Sequence, residues 1–163
     1  MVRCQQRKRL KKIFESKKLI AGNGKIKGGH KCICFTESPI SHIAEVIARG
    51  QKKKMKYGPY GIMFDKSKIF ELGGRPVIYQ SKEEYDCLPE SIKYRHVTYN
   101  PGEIDFCWER EWRLNITELQ IKPDEVTIIV PNRNYLESIY DQINKVIEAS
   151  SVFSGGYFPK VNE

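Results

Sequence analysis

Cys107-Trp108-Glu109-Arg110-Glu111-Trp112-Arg113-Leu114 is the stretch on which the reading of this chain turns. Taken as a β-strand, its successive side chains point to opposite faces. Glu109, Glu111 and Arg113 then share one face, while Trp108, Trp112 and Leu114 lie on or near the other. Both tryptophans of the protein fall here, and rings of that size anchor a strand because each buries a large apolar area. Two carboxylates and a guanidinium are left on the opposite side. They fit two readings: a surface strand laced by cross-strand ion pairs, or a rigid strand presenting a catalytic carboxylate into a cleft.

Working outward, residues 75–79 (Arg-Pro-Val-Ile-Tyr) and 93–99 read as strands, the latter closed by the Asn100-Pro101-Gly102 turn. Residues 31–36 form a short apolar strand, and Ser38-Pro39 then reads as N-cap and first helical position of a helix reaching Ala48. Residues 49–56 are a charged connector, 57–61 a turn, 62–64 a strand, and a short helix after Asp65 stops at Gly73-Gly74. Residues 125–130 (Glu-Val-Thr-Ile-Ile-Val) are a strand of buried type. Leu136, Ile139, Tyr140, Ile143 and Ile147 recur at helical spacing and predict a long C-terminal helix over 132–149, with an edge strand in the tail. At the other end, residues 1–4 read as a short opening strand. Residues 5–18 form a basic helix with Leu10, Ile13, Phe14 and Leu19 on one stripe, stopped by Gly22-Asn23-Gly24. The glycines match neither a P-loop nor a dinucleotide fingerprint, since no strand leads into them and no Gly-Lys-Ser/Thr follows. Helices early and strands late imply an α+β fold, taken as a single domain over 1–163.

A chain of 163 residues buries about 68–70% of its unfolded surface, enough for a core without staples. No apolar run reaches the length of a membrane span and no apolar segment follows the basic start, which makes cytoplasmic residence the expectation. Five scattered cysteines (Cys4, Cys32, Cys34, Cys87, Cys107) lack the paired spacing of a zinc site, so no metal is expected. The net charge of +8 is concentrated early. Arg3, Arg7, Lys8, Arg9, Lys11, Lys12, Lys17, Lys18, Lys25, Lys27 and Lys31 are offset there by Glu15 alone, and Lys52, Lys53, Lys54 and Lys56 form a second block. Such clusters raise the local concentration of polyanions, with nucleic acid the first partner class; solvated helix faces are the plainer account.

The strand-to-helix junction at Phe35-Thr36-Glu37-Ser38-Pro39 exposes backbone N–H groups suited to phosphate, or is an ordinary N-cap. Tyr57, Tyr60 and Tyr79 either stack on a planar ring or pack half-buried. His30, His42 and His96 show no metal or triad spacing. Asp105, Glu109 and Glu111 lack the spacing of a nuclease of the PD-(D/E)xK type.

Taken in order, Cys34-Phe35-Thr36-Glu37-Ser38-Pro39, Tyr57-Gly58-Pro59-Tyr60-Gly61-Ile62, Arg75-Pro76-Val77-Ile78-Tyr79 and Glu109-Arg110-Glu111-Trp112-Arg113 resemble the AbiGi-type abortive-infection family of bacteria and prophages. The resemblance spans about residues 10–115 and implies a role in phage resistance or a toxin–antitoxin system. More distantly, the layout is similar to small ADP-ribosyltransferases of the DarT group. That likeness implies an ADP-ribosyltransferase-like core of bent, mostly antiparallel sheets between the basic N-terminal helix and the long C-terminal one. It further implies NAD as substrate, with Arg3 on the NAD phosphates or ribose, Thr36 or Tyr79 in the middle role, and Tyr57, Tyr60 and Tyr79 around the nicotinamide. Glu111 would be the catalytic glutamate and Glu109 the first acid of the pair. The chain departs from the pattern in lacking a Ser-Thr-Ser and in placing Arg3 so near the start. A fixed carboxylate would stabilise positive charge developing on the ribose, while Arg7, Lys8, Arg9, Lys11 and Lys12 would guide a nucleic-acid acceptor. The rival expectations are a non-enzymatic basic antitoxin or defence module binding nucleic acid or a partner protein, and an inhibitor of one host protein.

Overall fold

The computed structural model describes residues 2–24, 26–49, 58–132 and 146–148. In chain order the elements begin with α1 (Val2–Ser16), β1 (Lys18–Ile20), β2 (Ile33–Thr36), α2 (Ile40–Arg49), β3 (Gly61–Phe64) and α3 (Lys66–Glu71). They continue with β4 (Arg75–Pro76), β5 (Ile78–Gln80), β6 (His96–Thr98), β7 (Glu111–Leu114), β8 (Glu118–Gln120), β9 (Val126–Val130) and β10 (Val146–Glu148). The fold is α+β, and four of the six strand pairings among the described residues are antiparallel. It divides into two compact units, each drawn from separated segments: 1–17, 39–65 and 121–163 in the first, 18–38 and 66–120 in the second.

In the first unit β9 is the middle strand of the order β10–β9–β3, antiparallel to β3 and parallel to β10. Val126, Ile128 and Val130 are 2%, 0% and 0% exposed, the period of two that a strand imposes. α1 buries Leu10 and Phe14 and leaves Arg7, Lys8, Arg9, Lys11 and Lys12 exposed. Residues 2–4 belong to this helix and form no opening strand. Extending an existing helix adds a hydrogen bond for each residue fixed, and nothing between Cys4 and Gln5 breaks it. The helix also ends earlier than its glycines suggested. Lys17 takes the left-handed conformation (φ 52°), its N–H reaches Phe14 O, and the chain leaves at once as β1.

The second unit carries the Trp/Glu stretch. β7 lies between β2 and β4 and is antiparallel to both. Opposite it, Ile33 pairs with Leu114, Cys34 with Arg113, Phe35 with Trp112 and Thr36 with Glu111. Ile33, Trp112 and Leu114 are buried on one face. β1 pairs with β8, and β5 pairs in parallel with β6. Residues 75–79 are thus two strands rather than one, broken at Val77, whose N–H turns to Glu111 O. Ile26, Cys32 and Tyr94 pack as a small core cluster.

The expected strand from Cys107 is shorter than its sequence suggested. Residues 107–109 form a 3₁₀ turn, because Asp105 Oδ1 accepts the Cys107 N–H at 2.8 Å and Arg110 adopts the left-handed conformation (φ 45°). Glu109 therefore lies off the strand and off the Glu111–Arg113 face. Residues 133–145, 149–163 and Tyr57 lie outside the described residues, so the expected C-terminal helix and tail strand fall mostly there. Residues 146–148, expected to be helical, are instead strand β10. Val-Ile is a β-branched pair that suits a place beside the buried β9. No helix among the described residues is long and apolar enough to cross a membrane.

Candidate functional site

Arg113 is the most constrained charge in the second unit. Its side chain is 6% exposed, and burying a guanidinium requires that its donors be matched. Nε donates to Glu111 Oε1 at 2.8 Å and Nη2 to Glu111 Oε2 at 3.3 Å. Nη1 donates to the carbonyls of Tyr94 (2.7 Å) and His96 (2.9 Å). Glu111 and Arg113 sit two apart on β7, on one face, so the pleat itself sets up this two-point fork. The Glu111 side chain is 14% exposed and both of its oxygens are engaged.

The other sequence candidates of this unit converge on the same segment. Tyr79 Oη accepts the Glu111 N–H at 3.2 Å and donates to Phe106 O at 3.2 Å; burial pushes its pKa up. Thr36, opposite Glu111, donates through Oγ1 to Glu109 O at 2.5 Å and accepts the Ser38 N–H at 3.1 Å. Ser38 is buried, and its hydroxyl donates to Trp108 O rather than capping α2. The helix instead receives its first carbonyl from Pro39, which accepts the Ile43 N–H. The hydroxyls expected to face a cofactor thus hold the backbone of residues 106–111 in place.

Two residues that the sequence named only within longer motifs, with no role of their own, complete the arrangement. Glu37 gathers three donors: Lys66 Nζ at 2.6 Å and Arg110 Nη2 at 3.1 Å on Oε1, and Trp112 Nε1 at 2.9 Å on Oε2. The Lys66 contact, then the indole bond, hold its pKa below the usual glutamate value. A buried indole N–H needs an acceptor, and that requirement was the available signal for Glu37. Cys34 shares the Glu111–Arg113 face. Its thiol is pushed up to about 12 by burial and by the Glu111 carboxylate it bonds.

The structure therefore brings Thr36, Tyr79, Glu109 and Glu111 to one segment of the second unit, through side chain or backbone. Arg3 lies on α1 in the first unit, not on a strand, and Tyr60 belongs to that unit too. Among the described residues no three His, Cys, Asp or Glu side chains are grouped to hold a metal ion.

Charge divides unevenly between the units. The first carries 16 Lys and Arg against 9 Asp and Glu, the second 12 against 11. Most of the excess belongs to the unit that contains α1. On that helix Lys11 approaches Glu15 at 3.7 Å with both side chains more than half exposed, an ion pair of little consequence in water. Lys8, Arg9 and Lys12 make no ion pair among the described residues. Lys8 and Lys12 stand one turn apart, about 6 Å along the axis, on the side away from Leu10 and Phe14. Comparison of the chain with protein-family models, with curated proteins and with solved structures finds no match.

Proposed function

We propose that this protein is a basic nucleic-acid-binding module of a bacterial or phage conflict system. The observation that carries the reading is the outward face of α1, where Lys8, Arg9 and Lys12 stand exposed without acidic partners among the described residues. Such a face contacts phosphates irrespective of sequence, and each contact releases counterions. The conflict-system context rests on the resemblance to the AbiGi-type family. The test is a fluorescence-anisotropy titration of duplex and single-stranded oligonucleotides across salt concentrations. The triple variant Lys8→Gln, Arg9→Gln, Lys12→Gln is expected to lower the slope of log K against log salt by about 2–3. No affinity for either oligonucleotide at low salt, or an unchanged slope in the variant, refutes the reading.

A second reading, ADP-ribosyl transfer from NAD to nucleic acid or protein, is favoured by the gathering of Thr36, Tyr79 and Glu111 at β7. An ADP-ribosyltransferase-like core is part of this reading. It requires Glu111 to exchange Arg113 for the ribose hydroxyls when NAD binds. Release of nicotinamide by the purified protein, lost in Glu111→Gln under conditions where circular dichroism shows that variant folded, supports it; absence of turnover with NAD and mixed acceptors rejects it.

A further inference from the structure

Phe70 closes α3 with half of its surface in water (50% exposed), and Leu72 beside it is 47% exposed. Large apolar groups held outward together point to an interaction site. The turn that presents them is tightly specified. Leu72, Gly73 and Gly74 N–H groups return to Lys68, Phe70 and Ile69 carbonyls at 3.1, 3.0 and 2.8 Å. Gly73 has φ +96°, and a Cβ on Gly74 would lie 2.7 Å from Ile69 O. Arg75 then folds back over the ring, with Cζ 3.8 Å from the Phe70 centroid. Its Nη1 donates to both Phe70 O and Gly74 O at 2.7 Å. The guanidinium is thereby fixed by carbonyls, and Arg75 makes no ion pair with a carboxylate among the described residues. One face of the ring is covered by an unneutralised cation, while the exposed remainder of the ring is open to a ligand.

We infer that Phe70, backed by Arg75, is a stacking platform for one unpaired nucleobase of a single-stranded nucleic acid. This rests on the nucleic-acid reading above and adds to it a base-dependent contact in the second unit. The chemistry favours that occupant because a nucleotide joins the two things the site offers to meet: a planar ring for the exposed part of the Phe70 ring and an anion for the fixed guanidinium. Stacking on a ring already held in place loses little side-chain freedom, and it tolerates any base.

The test compares binding of a labelled oligothymidylate with that of an abasic oligomer of the same length, by anisotropy. Wild-type protein is expected to prefer the oligothymidylate by about 5- to 150-fold. Phe70→Ala is expected to erase that preference, and Phe70→Trp to keep it, with unchanged melting temperature as the control for folding. If Phe70→Ala retains the full preference, or wild-type protein binds both oligomers equally, the platform is refuted while the phosphate contacts of α1 stand. If neither oligomer binds, both readings fall. A Phe70-dependent affinity for a glutamate-rich, Phe-containing peptide, with no preference between the oligomers, would replace the nucleobase by a protein partner.

Discussion

Glu111→Gln separates a strut from a catalytic acid. The carboxylate accepts two of the four hydrogen bonds made by Arg113, at 2.8 and 3.3 Å, and faces a guanidinium that is 6% exposed. Glutamine keeps one acceptor but turns an amide donor toward the other N–H, and it leaves the buried positive charge uncompensated. Removing one partner of a buried pair costs about 3–5 kcal/mol. Because the carbonyls of Tyr94 and His96 remain, the lower part of that scale applies, about 3–4 kcal/mol. With a urea m-value of about 2 kcal/mol/M, the unfolding midpoint falls by about 1.5–2 M. Circular dichroism and tryptophan fluorescence, followed together, read this out and check that the transition is cooperative. Arg113→Met alone is expected to destabilise comparably, and the double variant by less than the sum, since the two groups act as one. A Glu111→Gln protein within about 0.5 kcal/mol of wild type, by the same extrapolation, would refute the view that the fork holds β7.

Three further outcomes are expected. Cys34, pushed up to about 12 by burial and the adjacent carboxylate, should alkylate at least about tenfold more slowly than Cys87 at pH 8; Glu111→Gln should speed its reaction, and mass spectrometry of the labelled peptides checks both. Glu37 has a folded pKa below its unfolded one, mainly through Lys66, so its contribution is complete above the ordinary value of roughly 4.3 and is lost as pH falls through the lower folded value; Glu37→Gln should therefore flatten stability against pH below about 4.3, and an undiminished acid-side loss would count against the clasp. Gly74→Ala should destabilise by about 1–3 kcal/mol, because its Cβ meets the Ile69 backbone and Cγ2 at 2.7 and 2.5 Å; a stability equal to wild type in a urea titration would contradict this.

The sequence carried the parts of the fold that local periodicity controls. Leu10 and Phe14 set the buried stripe of α1, Val126, Ile128 and Val130 the buried face of β9, and Trp112 and Leu114 the apolar side of β7. What it hid depends on distant partners or on single dihedral angles. Glu109 left the strand because Asp105 nucleates a turn and Arg110 turns left-handed, and no hydrophobic pattern registers either event. The face shared by Glu111 and Arg113 was legible. That Arg113 would be buried was not, since two of its acceptors are backbone carbonyls of residues 94 and 96, which every residue type possesses. Glu37 stood in a recognised junction, yet its three donors arrive from positions 66, 110 and 112. Parallel β10 was masked by a helical spacing that runs through Ile143 and Ile147.

Because each unit is stitched from separated segments, neither can be cut out as a continuous piece of chain. During synthesis the second unit has all of its residues once Gln120 is added, although its first strand begins only at Lys18. α1, made before them, waits for β9 and β10 to complete its own unit. A nascent chain therefore trails a cationic, half-apolar helix until β9 and β10 emerge, and closure over such sequence separations is slow. Expression of the isolated N-terminal half should give an aggregating fragment.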